Sequence, residues 1–183
     1  MQSKLCGNYV SLKLDDLDPV SLKATANHAR AWIEGRERQK EAGFIFVSWF
    51  ASRQLSREEK LDLQSAAAIW VENNSSHFTG SVLAVALRLP TASPREEATL
   101  LSRARSWLQA HSDKTSAAEA ITALIERPCI SSHLRDEAVQ LALGLAWRTN
   151  PNTVRNALEA ARELLPKTSL IREEIDKVLD AGT

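Results

Sequence analysis

Apolar and polar positions follow two patterns along this chain. Tyr9, Val10, Leu12 and Leu14 alternate with polar residues over a short stretch, a strand pattern with no partner strand after it. Residues 1–17 are therefore expected to form an extended or irregular N-terminal cap. From Asp18 onward the apolar residues recur every three or four positions, the period of a helix with one buried face. Asp18-Pro19 reads as an N-cap followed by the first helical residue, opening a helix to about Glu34 with Val20, Ala24, Ala31 and Trp32 facing inward. Gly35 closes it, and a charged loop leads to a second helix over roughly Glu41 to Arg53. Ser56 and Glu59 form a capping box for a helix to about Glu72, broken at Asn73-Asn74-Ser75-Ser76. Its partner holds Val82, Val85, Ala86 and Leu89 and stops at Pro90. Ser93 and Glu96 cap the next helix, which reaches Trp107-Leu108, and Ala117, Ala120, Ile121 and Leu124 mark the one that ends at Pro128. Ser131 or Ser132 begins a helix through Leu141 and Leu145 to Trp147. After Asn150-Pro151 another carries Val154, Leu158, Ala161 and Leu164 to Pro166. Ser169 caps a last helix with Ile171, Ile175, Val178 and Leu179.

These roughly nine helices recur with a period. Arg57-Glu58-Glu59, Arg95-Glu96-Glu97, Arg135-Asp136-Glu137 and Arg172-Glu173-Glu174 place their arginines 38, 40 and 37 residues apart. Trp32, Trp70, Trp107 and Trp147 are 38, 37 and 40 apart. Two independent markers sharing one period in the high thirties are the signature of stacked helix pairs. The expected fold is an all-α, right-handed α-solenoid of about four and a half repeats. The repeats are residues 18–55, 56–92, 93–130 and 131–168 with a capping helix at 169–181, in one domain, 18–183. Trp32, Trp70, Trp107 and Trp147 are read as structural positions, rings filling the gap between successive pairs with the indole N–H on a loop carbonyl.

Over about residues 18–180 the chain resembles the α-solenoid repeat classes, tetratricopeptide and HEAT-like, in period and pattern. Here Trp closes the first helix of each pair, and the period is nearer the HEAT-like range. The resemblance implies a protein-interaction surface, commonly one part of a larger assembly, and brings no catalytic residues with it. It also implies two alternatives: a nucleic-acid-binding HEAT-like solenoid, or a sensor segment of a larger signalling or defence enzyme.

Charge narrows the choice. Lys+Arg and Asp+Glu both total 23, so no net field directs the chain to nucleic acid, membrane or an acidic substrate. Cys6 and Cys129 stand far apart in no metal-ligand spacing, which suits a reducing, cytoplasmic setting. The apolar runs Phe44 to Val47 and Val82 to Leu87 are much shorter than the ~18 residues of a membrane span. His28, His77, His111 and His133 lack ligand spacing, Asp15, Asp16 and Asp18 adjoin a helix start, and no nucleophile or phosphate-loop motif is present. No catalytic residue, metal or cofactor is assigned.

Two features remain as candidate sites. In the second helix Phe44, Phe46, Trp49 and Phe50 surround the axis at about 100° per residue, so this helix needs cover on most sides. Residues 1–17 are one cover. An exposed patch for another protein, a subunit or a second copy of the chain is the other. Arg53, Arg88 and Arg127 end second helices, while Arg57, Arg95 and Arg135 open the helices that follow, which would align a basic ridge for a phosphate backbone or an acidic protein segment. The adjacent carboxylates largely cancel it, and the triplet arginines also have neighbouring carboxylates to pair with. The last helix is polar outside, as a terminal cap should be, whereas the N-terminal end looks less finished, compatible with the closing part of a longer array.

Overall fold

The computed structural model describes residues 14–74, 79–91, 93–128 and 130–181. Tyr9, Val10 and Leu12 of the expected cap, together with Cys6, His77 and Cys129, lie outside the described residues. Every regular element described is helical: α1 (Pro19–Ile33), α2 (Ala42–Ala51), α3 (Arg57–Leu61), α4 (Gln64–Asn73), α5 (Thr79–Arg88), α6 (Pro94–His111), α7 (Ala118–Glu126), α8 (Ser132–Arg148), α9 (Arg155–Leu164) and α10 (Leu170–Ala181). Only Asp62 and Leu63 separate α3 from α4, and counting these two as one interrupted helix gives nine.

The helix starts form where the capping residues stand. Asp18 Oδ1 accepts from the main-chain N–H groups of Val20 and Ser21 at 3.0 and 3.1 Å, Ser56 and Glu59 close a reciprocal capping box, and Ser93 and Ser131 accept from the N–H of Glu96 and Leu134. Each satisfies donors that the first turn leaves unpaired. The helix ends use a device absent from the sequence expectation. Arg135, in α8, donates through Nε to Ile125 O and through Nη2 to Arg127 O at the end of α7; Arg172, in α10, donates to Leu165 O after α9. In these two copies the triplet arginine therefore meets the orphan carbonyls of the preceding helix rather than a carboxylate. A planar guanidinium is shaped to bridge two such acceptors.

Contacts group the chain into residues 1–103 and 104–183, with the division inside α6 rather than at a linker. In the first unit α2 packs on α4 and α5, and α4 on α5. Ile45, Phe46 and Trp49 of α2 are fully buried and Phe50 nearly so. Trp70 of α4 meets Phe46 at a centroid distance of 6.0 Å and lies against Gly43, where any Cβ would collide with its ring. The Trp70 N–H donates to Gln39 O at 2.8 Å and that of Trp49 to Glu59 O at 3.0 Å. Arg30 of α1 stands 5.3 Å over the Trp49 ring and pairs with Asp62 at 2.7 Å.

The cover of α2 thus includes α1, α4 and α5. The described end of the N-terminal segment adds to it only at the helix terminus. There Leu14 is buried, and the Asp15 carboxylate accepts from Ser52 Oγ at 2.6 Å and from the Arg53 N–H at 3.0 Å. The Ser52 hydrogen bond, assisted by main-chain donors, holds the Asp15 carboxyl below its ordinary pKa.

The expected inward face of α1 needs correction. Val20 is 79% exposed and Ala24 and Ala31 are exposed, whereas Leu22, Ala26, Ala29 and Ile33 are buried with Trp32. Leu22, Trp32 and Ile33 are the large residues of the buried face, and they set the phase of the stripe; alanines fit either face.

In the second unit α7 packs on α8 and α9, α8 on α9, and α10 on both α9 and α8. Its core is aliphatic: Ile121, Leu124, Ile125, Leu145 and Leu158 are fully buried, with Ala120, Ala142 and Ala157 letting the helices approach. Trp107 is buried and stacks on His111 with ring centroids 4.8 Å apart. Its indole N–H has no hydrogen-bond partner among the described residues. Trp147 departs from the expected series altogether, being 69% exposed. Leu145 and Ala146 occupy the inward positions at the end of α8, and one further residue at about 100° turns the next side chain outward.

Candidate functional site

Among the concavities of the described residues, one in each unit lies between first helices of the expected pairs. The first unit has a cleft of about 320 Å³ between α4 and the N-terminal half of α6, lined by Gln64, Ser65, Arg95, Thr99, Leu100 and Arg103 among others. Ala68 and Leu100 supply an apolar floor, and Arg103 is tied to Glu72 of α4 at 2.8 Å. Thr99 donates its hydroxyl to Arg95 O within its own helix.

The second unit has a groove of about 430 Å³ bordered by α6 and α8. Leu108 and Leu124 lie buried at its base, and Leu134 and Leu141 of α8 are half-buried along its wall. Arg105 of α6 reaches Glu137 of α8, and His133 Nε2 approaches the same carboxylate at 3.4 Å. Polar groups thus stand at the margin of an apolar trough, the usual composition of a site that recognises an apolar side chain by shape.

The aromatic candidates do not form a surface. Phe46, Trp49 and Phe50 are interior, and only Phe44 of that set is partly exposed. The reason is the one that made the helix conspicuous: an all-round apolar helix is stable only when covered, and α4 and α5, with Arg30 of α1, supply cover among the described residues. The basic series is dispersed as well. Arg53, Arg57, Arg88 and Arg95 are exposed in the first unit, whereas Arg127 is buried and Arg135 is half-buried on main-chain carbonyls in the second. Two of the six arginines are therefore built into helix ends, and Arg95 is the one that lines a concavity. Asp15 and Asp18 are engaged by hydroxyl and main-chain donors.

Gln64 and Leu134 went unsingled in the sequence, and Leu141 was read only as a position of its helix. For Gln64 a signal existed: with Ala67, Ala68 and Val71 it occupies one buried stripe of α4, so it is an amide on an apolar face. Among the described residues no helix is long and apolar enough to cross a membrane. Comparison with protein-family models, with curated proteins and with solved structures finds no match.

Proposed function

We propose that this chain is a non-enzymatic protein-interaction scaffold built from stacked helix pairs, a right-handed α-solenoid by its period. Support for the stacking comes from within each unit. Second helix packs on second helix, α2 on α5 and α7 on α9, as repeats do when each buries the next. Support for the interaction role comes from one observation above the others, the leucine-lined groove between α6 and α8. A trough of this size, with half-buried leucines and a polar margin, offers apolar area that a partner's side chain would take out of water. The partner in this reading is another protein or a second copy of the chain.

Affinity capture from cell extract with the wild-type chain and with a Leu134→Glu/Leu141→Glu variant, quantified by mass spectrometry, tests the reading. Circular dichroism controls for folding. Proteins or copies of the chain held by the wild type and lost by the folded variant are the expected result. An identical captured set would end the proposal for this groove.

A further inference from the structure

The groove of the second unit holds one charge that the fold leaves unmatched. Of its ionic lining, the Glu137 carboxylate is met by Arg105 from α6 and approached by His133. Asp136, half-buried on the same wall of α8, has no cation or hydrogen-bond donor among the described residues. It stands in sequence between Leu134 and Leu141, both half-buried along that wall. The open side of the groove is thus two leucines with a carboxylate between them. A fitting occupant brings a cation set between two apolar side chains.

The same unit presents that arrangement at the turn between α9 and α10. Leu164 is 51% and Leu170 80% exposed, and Lys167, midway between them, is the only charged residue of the stretch. Lys167 is exposed and has no carboxylate partner among the described residues. None of these three residues lines the groove of its own chain. A single leucine in water is ordinary, but two at the ends of one short turn gather apolar area in one place. The turn is also held in shape, because the Ser169 N–H donates to Pro166 O at 3.0 Å and the Arg172 guanidinium to Leu165 O. A preformed turn loses little freedom on docking.

We infer that the α6–α8 groove receives the 164–170 turn of a second copy of this chain, Leu164 and Leu170 packing beside Leu134 and Leu141 while the Lys167 ammonium meets the Asp136 carboxylate. The inference rests on the scaffold reading, since it names the occupant of the same groove. Trp147, the other exposed large apolar residue of this unit, lacks a free cation beside it, because Arg148 turns back to Gly144 O on its own helix. Groove and turn are different surfaces, so the contact is head-to-tail, and each chain added offers a groove or a turn to the next unless the series closes into a ring.

The test is the solution mass of the full chain by light scattering, over a concentration series up to about 1 mM. Expected is a mass that rises with concentration. Leu170→Glu and Leu134→Glu, with folding checked by circular dichroism, should each hold the chain as a monomer. An equimolar mixture of the two should form a two-chain complex, because the first keeps its groove and the second its turn. Asp136→Lys should weaken the association about tenfold or more, Asp136→Lys/Lys167→Glu should restore most of it, and Trp147→Ala should leave it unchanged. A wild type that stays a monomer throughout, a mixture of the folded variants that does not associate, or a charge exchange without recovery overturns the inference. So does loss of association in Trp147→Ala. A monomeric wild type whose captured proteins are still lost from Leu134→Glu/Leu141→Glu leaves the scaffold reading standing, with a different protein in the groove. If that captured set is also unchanged, both readings fall.

Discussion

The two units fill their interiors differently. In residues 14–103 the core is keyed by rings, Trp32, Phe46, Trp49, Phe50 and Trp70, two of whose indole N–H groups find main-chain carbonyls. In residues 104–181 the only buried aromatic among the described residues is Trp107, and leucine, isoleucine, valine and alanine do the rest. A ring needs a matching hollow and, for Trp, an acceptor at a fixed distance; a branched aliphatic chain needs only volume. The first core should therefore be intolerant of change at a few positions, and the second should absorb many small ones.

The sharpest test of that contrast is Trp70→Ala, which empties the hollow beside Phe46 and Gly43 and strands the Gln39 carbonyl. It should cost about 3–5 kcal/mol in denaturant unfolding. A loss below about 1 kcal/mol would mean that the first core repacks as readily as the second. Gly43→Ala approaches the same contact from the other side. The added methyl collides with the indole, and destabilisation of about 1–3 kcal/mol is expected although a helix would otherwise gain from the replacement. In the aliphatic core Leu158→Met keeps volume, so it should cost no more than about 1.5 kcal/mol, with the cooperative transition preserved.

Asp15 gives a test by pH. Its carboxyl is held below the ordinary value near 4 by the Ser52 hydroxyl. Its contribution is thus present above that ordinary pKa and lost as pH falls through the lower folded-state value. The stability difference between wild type and Asp15→Asn should be constant near neutrality and vanish in strong acid; a difference that persists there would assign the effect to packing. The smallest change is expected at Trp147→Ala, within about 0.5 kcal/mol, since the ring is exposed. A loss like that of Trp70 would restore the two rings to one structural class.

Helices and their starts were legible in the sequence because both depend on neighbours along the chain. The caps at Asp18, Ser56, Ser93 and Ser131 each need a side chain within three residues of its partner; the first three stand where the pattern put them, and the fourth takes Ser131 of the two serines it left open. What depends on phase or on distant atoms was not legible. One residue of offset puts Trp147 outside while Trp70 is sealed, and periodicity in the high thirties cannot resolve one residue. The interruption at Asp62 and Leu63 falls where Asp62 pairs with Arg30, far away in the chain. Of the candidate sites, Arg95 was named for its charge. Gln64 was not, because its role comes from two carbonyls at the end of another helix.

The guanidinium of Arg172 has a consequence for motion. Because it holds Leu165 O, the last carbonyl region of α9 is secured by the helix that follows. α10 cannot fray from its first turn without also loosening the end of α9, so the two open as one cooperative segment. Amide protons near Leu165 and near Ile175 should then exchange at matched rates under native conditions. Through this contact the α9–α10 pair, rather than α10 alone, is the unit expected to open here.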